Sequence, residues 1–262
     1  MRRGGNLKIR LLIGAAIILF SYFKYCSRTE VNEYTGKKQH IAISTEQEIA
    51  IGLQSAPEMA NQYGGLYPNQ DDQNKVKAVG QKLVAKSIAN LTPYRYDFHL
   101  LRDPETVNAF ALPGGQVFIT YGLFKRLQNE DQLAGVLGHE IGHVVGRHSA
   151  ERMAKQDLTQ GIITGVTAGA DMGAGQIAAV VANSVTMKYG RQDELESDNL
   201  GVKYMIDAGY NPYQFIEVMH ILDEASGGQQ VPEFNSTHPS GPHRIEEIKQ
   251  AIKDNGYAGS PN

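Results

Sequence analysis

The sequence predicts an α+β domain, mostly helical with a small sheet, behind a short apolar N-terminal segment. Three stretches carry this reading. Helical patterns occur between about residues 45 and 90, alternating apolar and aromatic residues broken by Pro113-Gly114-Gly115 occupy 94–121, and helical periodicity then returns almost to the end. Strands grouped between two helical runs place a small sheet against a helical layer, not in alternating β-α-β units. A length of 262 residues suits one such domain with its own core.

Taken in order, Arg2, Arg3, Lys8 and Arg10 precede an almost unbroken apolar run from Leu11 to Phe23, a basic flank followed by a hydrophobic region. Ile9, Tyr22 and Tyr25 lengthen the run and Lys24 can snorkel, so residues 1–26 read as a signal anchor or signal peptide. The anchor is preferred because no small-x-small cleavage pattern follows. The basic flank then puts the N-terminus in the cytoplasm and the remainder outside it. Lipidation at Cys26 is disfavoured by the bulky Phe23-Lys24-Tyr25 before it. Residues 27–43, with Asn32, Gly36, Lys37 and Lys38, read as a linker, and 44–262 as the domain.

Thr45 and Glu48 fit a capping box ahead of Ile49, Leu53 and Met59, which predicts a first helix. A second is expected over 74–90. Strands are expected over 94–101, 106–112 and 116–121, the last two forming a hairpin about Pro113-Gly114-Gly115. From 161 to 182 the chain is rich in Gly and Ala around Asp171. A charge and several glycines are unfavourable in a bilayer, so this stretch reads as a mobile helical hairpin near a cleft and not as a second span.

Composition narrows the function. Hydrophobic residues at 41% and charged residues at 20% suit a globular chain. A net charge of -3, with no basic run beyond the N-terminus, argues against nucleic acid as a partner. One cysteine allows neither an internal disulfide nor a cysteine-based metal site, so any metal must be held by His and carboxylate.

The segment His139-Glu140-Ile141-Gly142-His143 supplies such a site. Asn129 as N-cap, Gln132 three residues on, and the stripe Leu133, Val136, Leu137, Ile141 and Val144 predict a helix there. Four residues apart, the two imidazoles share one helix face with Glu140 beside them, as a zinc hydrolase needs for two ligands and a base. Catalytic zinc takes a third protein ligand. A histidine six residues after His143 would give a metzincin, but position 149 is Ser, and His148 comes one residue early. On a continuing helix His148 lies about half a turn from His139, which predicts a solvated or capping residue. The other source is Arg191-Gln-Asp-Glu194-Leu-Glu-Ser-Asp198, with Glu194 and Asp198 on one face. One of these can bind metal while the other fixes a histidine tautomer.

Four separated pieces resemble the HtpX-like and CAAX prenyl-protease-like zinc metallopeptidases, peptidase family M48. They are Asn108-Ala-Phe110 with Pro113-Gly-Gly115, His139-Glu-Ile-Gly-His143, Arg191 with Glu194-Leu-Glu-Ser-Asp198, and Thr237-His-Pro239 with Arg244. The resemblance covers most of 45–250 and favours the single-anchor branch. It implies a gluzincin-type fold, one Zn2+ per chain on His139, His143 and Glu194, Glu140 as catalytic base, and Asp198 as supporting partner or proton carrier. His238 would lie near the metal, stabilising the oxyanion or blocking the open position, with Arg244 a second oxyanion candidate. The implied substrates are extended or unfolded polypeptides, paired with an edge strand for which Gln116 to Thr120 is the candidate. The implied role is quality control of extracytoplasmic or membrane-associated proteins. A membrane-anchored chaperone or scaffold with a structural or self-inhibited zinc site is the alternative.

Overall fold

The computed structural model describes residues 4–169, 189–226, 233–238 and 243–260. Its contacts divide the chain into two units, residues 1–43 with 150–187, and residues 44–149 with 188–262.

In the first unit, helix α1 (Gly4–Ser27) contains a stretch of 21 residues, Leu7–Ser27, long and apolar enough to cross a membrane. The segment after it holds a short antiparallel hairpin, β1 (Thr29–Val31) and β2 (Lys38–His40). The Gln39 side-chain amide donates to Glu151 Oε2 at 3.2 Å. Glu151 sits on α6 (His148–Gly169), so the hairpin is tied to that helix. The Gly- and Ala-rich stretch read as a hairpin enters α6 over 161–169, and its residues 170–182 lie outside the described residues.

The second unit opens with α2 (Thr45–Gln62), whose cap is Ser44 with Gln47, one residue earlier than the Thr45 and Glu48 expected. Glu48 is instead buried, with Arg147 Nε donating to its Oε1 at 2.7 Å. Helix α3 (Gln70–Lys86) starts four residues before the predicted 74 because the Asn69 side chain accepts from the amides of Asp71 and Asp72. Three strands follow, β3 (Asp97–Leu101), β4 (Ala109–Ala111) and β5 (Gln116–Thr120), in the order β3-β5-β4. The predicted hairpin is β4–β5, with Gly114 and Gly115 at φ of 80° and 108°, conformations that disfavour a side chain.

This order corrects one expectation. Strand β5 is central, parallel to β3 on one side and antiparallel to β4 on the other, so Gln116 to Thr120 cannot be the edge that receives a peptide. The chain leaves β3 and crosses to the far side of β5 before turning back, a path that alternation cannot reveal. Beyond β3 the backbone already bonds to the loop before α3, Tyr67 N to Leu100 O and Arg102 N to Gly65 O. Among the described strands, β4 therefore offers the other edge.

After the one-turn helix α4 (Tyr121–Phe124) comes α5 (Glu130–Val145), capped by the Asn129 side chain, which accepts from Gln132 N. Its residues 132–145 are all buried, so the stripe read from the sequence understates it. Helices α3, α7 (Arg191–Asp207) and α8 (Gln214–Ser226) and strand β4 pack around it. Two short helices complete the unit, α9 (Glu233–Thr237) and α10 (Arg244–Asp254). Phe98, Phe118, Tyr204, Phe215 and Phe234 are the largest side chains in the core.

Candidate metal centre

Helices α5 and α7 meet through their smallest residues. A Cβ on Gly142 would lie 2.9 Å from the Cα and carbonyl O of Ser197, and one on Gly201 would lie 3.0 Å from His139 N. Only this close approach lets short carboxylate side chains on α7 reach imidazoles on α5. His139, His143, Glu194 and His238 are all buried and together can hold a metal ion.

The donor atoms converge on one point. His143 Nε2 lies 3.0 Å from His139 Nε2, and Glu194 places Oε2 and Oε1 3.5 Å from those two nitrogens. His238 Nδ1 is 3.2 Å from His139 Nε2 and 3.1 Å from Glu194 Oε1. Four ligands about 2.05 Å from tetrahedral zinc stand about 3.3 Å apart, so these separations fit one ion.

Hydrogen bonds on the far side of each ring point its lone pair inward. His139 Nδ1 donates to Asp198 Oδ1 at 2.8 Å, which leaves Nε2 unprotonated in the neutral ring. Asp198 is held in turn by Arg244, whose Nε and Nη2 donate to its two oxygens at 2.8 Å each. Burial raises the Asp198 carboxyl pKa, but Arg244 and His139 outweigh burial and hold it below the usual range. Arg244 thus grips Asp198, and its Nη2 also lies 3.7 Å from Glu194 Oε2.

His148 is a second correction. It is fully buried, with Nδ1 2.9 Å from His143 Nδ1 and Nε2 3.0 Å from Glu196 Oε2. A consistent tautomer set has His143 Nδ1 donating to His148, and His148 Nε2 donating to Glu196, which frees His143 Nε2. The expectation of a solvated residue assumed an unbroken helix, whereas α5 ends at Gly146 and Arg147 adopts a φ of 55°. The kink swings His148 back against His143. Gly146 after the last apolar residue was the available signal. Tyr189, which the sequence did not mark, stacks on His143 with ring centroids 4.0 Å apart.

Hydrogen bonding at this cluster is incomplete among the described residues. Both Glu140 oxygens, Glu194 Oε2 and His238 Nε2 are buried with no hydrogen-bond partner among the described residues. Unpaired buried polar atoms are unfavourable, and a divalent cation among these donors offsets that penalty. Burial pushes the Glu140 carboxyl pKa up. For Glu194 burial acts in the same direction, but His238 and His139 prevail and hold it well below the carboxylate range. Burial lowers the His139 pKa, yet Asp198 and Glu194 overcome it and raise it to about 9.

A metal must displace that proton from His139. Metal binding at pH 7 is expected to release about one proton at this site, and affinity to fall as pH is lowered from about 9. Calorimetric titration in buffers of different ionisation enthalpy checks this, and buffer-independent heats would contradict it.

This fold and donor set define a metallopeptidase of the gluzincin type. The profile of Peptidase family M48 matches residues 70–252, and the chain belongs to that family. Among its relatives, the mitochondrial metalloendopeptidase OMA1 of Schizosaccharomyces pombe is 29% identical over 93% of this chain and 71% of its own length. The mitochondrial metalloendopeptidase OMA1 of Danio rerio is 26% identical over 92% of this chain and 54% of its own length. The beta-barrel assembly-enhancing protease of Escherichia coli is 29% identical over 66% of this chain and 37% of its own length. The chain thus spans about half of the fish relative and a little over a third of the bacterial one. All three names describe proteases, in keeping with the site.

Proposed function

We propose that this chain is a zinc-dependent endopeptidase, anchored by α1, that cleaves extended or unfolded polypeptides. The observation that carries the reading is the convergence of His139 Nε2, His143 Nε2 and Glu194 within 3.0–3.5 Å of one another, beside the buried and unpaired Glu140. His139, His143 and Glu194 would hold one zinc ion, which supplies Lewis acidity toward the scissile carbonyl and toward a water.

Glu140 accepts the water proton and returns it to the leaving amine, a role that its raised pKa suits. Asp198, backed by Arg244, orients His139 with Nε2 toward the metal position, and His148 with Glu196 does the same for His143. The β4 edge is where an extended substrate would pair, main chain to main chain, giving limited sequence specificity. Arg2, Arg3, Lys8 and Arg10 before the apolar run favour a cytoplasmic N-terminus and an extracytoplasmic catalytic unit. That placement supports a role in quality control of envelope or membrane-associated proteins.

Metal analysis combined with casein cleavage tests the reading. The purified chain is expected to carry one zinc and to cleave casein, and chelation is expected to abolish cleavage until zinc is restored. Cleavage that persists in the metal-free protein would refute the proposal.

His238 favours a second reading, because its Nδ1 completes a fourth corner of the donor set. With four protein donors engaged, the site would be structural or self-inhibited, as in an anchored chaperone or scaffold. His238→Ala is expected to raise casein cleavage several-fold if the side chain blocks the open position. A fall in rate at unchanged zinc content would instead assign His238 to transition-state stabilisation.

A further inference from the structure

The first unit holds an apolar surface that the peptidase reading leaves unused. Resting on the reading of α1 as a membrane anchor, we propose that residues 158–169 of α6 form a second membrane-embedded helix, antiparallel to α1, with lipid acyl chains as the partner of its outer face.

The two helices touch through small residues. A Cβ on Gly161 would collide with the Ser21 side chain, and one on Gly165 would collide with Gly14 O and the Ile18 side chain. Glycines four apart that admit a neighbouring backbone are a packing mode of helices in lipid, where close van der Waals contact replaces the hydrophobic drive. The order of contacts, Gly161 at Ser21 and Gly165 at Ile18 and Gly14, fixes the antiparallel direction.

The helices also change character at matching levels. Glu151, Arg152, Lys155 and Asp157 crowd the first turns of α6, and no ionisable residue follows until Asp171. Asp157 and Gln160 line the same cavity as Lys24, Tyr25 and Arg28, where α1 returns to charge. At the other end Arg10 Nε donates to Ala168 O at 3.5 Å. Cations and an aromatic at one boundary, and an arginine at the other, are the residues that mark a bilayer interface.

Between these levels the hydroxyls are satisfied within the helices. Thr159, Thr164 and Thr167 each donate their hydroxyl to the carbonyl four residues earlier at 2.8 Å, and Ser21 donates to Ile17 O at 2.9 Å. A hydrocarbon environment demands this internal pairing and water does not. Ile162 and Val166 are exposed on α6, as Leu12 and Leu19 are on α1. Gly161 and Gly165, two of the glycines that made 161–182 look unfit for a membrane, are the contact surface for its neighbour.

The test uses the full chain with Cys26→Ser, reconstituted in phosphatidylcholine and phosphatidylglycerol vesicles. Ile162→Cys, Val166→Cys, Leu12→Cys and Lys86→Cys are each labelled with an environment-sensitive fluorophore. Labels at 162 and 166 are expected to behave like the label at 12, with blue-shifted emission, quenching by nitroxide lipids and loss of iodide quenching. The label at 86, on α3, is expected to show the opposite pattern. Iodide quenching at 162 and 166 with protection at 12 overturns the inference and leaves the anchor standing. Iodide quenching at 12 overturns both, while the zinc and casein measurements on the catalytic unit stand apart from either result.

Discussion

Glu140→Gln is expected to retain zinc and to lose casein cleavage by about 10^2–10^4-fold, the range for removal of a general acid-base group. Glu140 lies on α5 beside His139, fully buried, and neither of its oxygens accepts a hydrogen bond among the described residues. Its nearest partner is His238, at 3.6 Å from Oε1 to Nε2, so no structural hydrogen bond depends on the carboxylate. Glutamine keeps the shape and removes the proton acceptor. Because the converging donors are His139, His143 and Glu194, zinc content measured by atomic emission should match that of the unmodified protein. Near-normal cleavage by the variant would remove Glu140 from the mechanism.

The second large effect is expected from a single methyl group. Helix propensity alone predicts that Gly142→Ala stabilises α5 by about 1 kcal/mol. Packing predicts the reverse sign. The new Cβ would stand 2.9 Å from two backbone atoms of Ser197, and backbone in a packed helix cannot rotate away as a flexible side chain can. Overpacking of this kind costs about 1–3 kcal/mol, so a net loss of stability is expected in denaturant unfolding. The displacement also separates α7 from α5 at the level of Glu194 and Asp198. Zinc affinity should therefore fall about 10- to 100-fold, as it does when groups that orient metal ligands are lost. A variant as stable and as zinc-avid as the parent would show that the two helices are not held at this distance by glycine.

Both effects differ in how far the sequence foretold them. Glu140 was marked by spacing: two histidines four apart on a helix with its own cap define the neighbouring carboxylate as the base, because helical geometry is local and regular. Glu194 and Asp198 were legible as an i, i+4 pair on a later helix, and their distribution between metal and imidazole followed only from the family resemblance. The order β3-β5-β4 was hidden because alternation shows that a strand exists but not which neighbour it chooses. His148 was misplaced by extrapolating a helix through Arg147, where the backbone turns left-handed.

By itself, then, the sequence determined the helical identity of α5, the chemistry of His139, Glu140 and His143, and the apolar reach of α1, since each depends on residues close along the chain. Only the tertiary structure decided that Arg244 grips Asp198, that His148 and Glu196 orient His143, and that Gly142 and Gly201 set the distance between α5 and α7. Those contacts join residues 46 to 62 positions apart or depend on a single φ angle. They arise from packing, which no local period encodes.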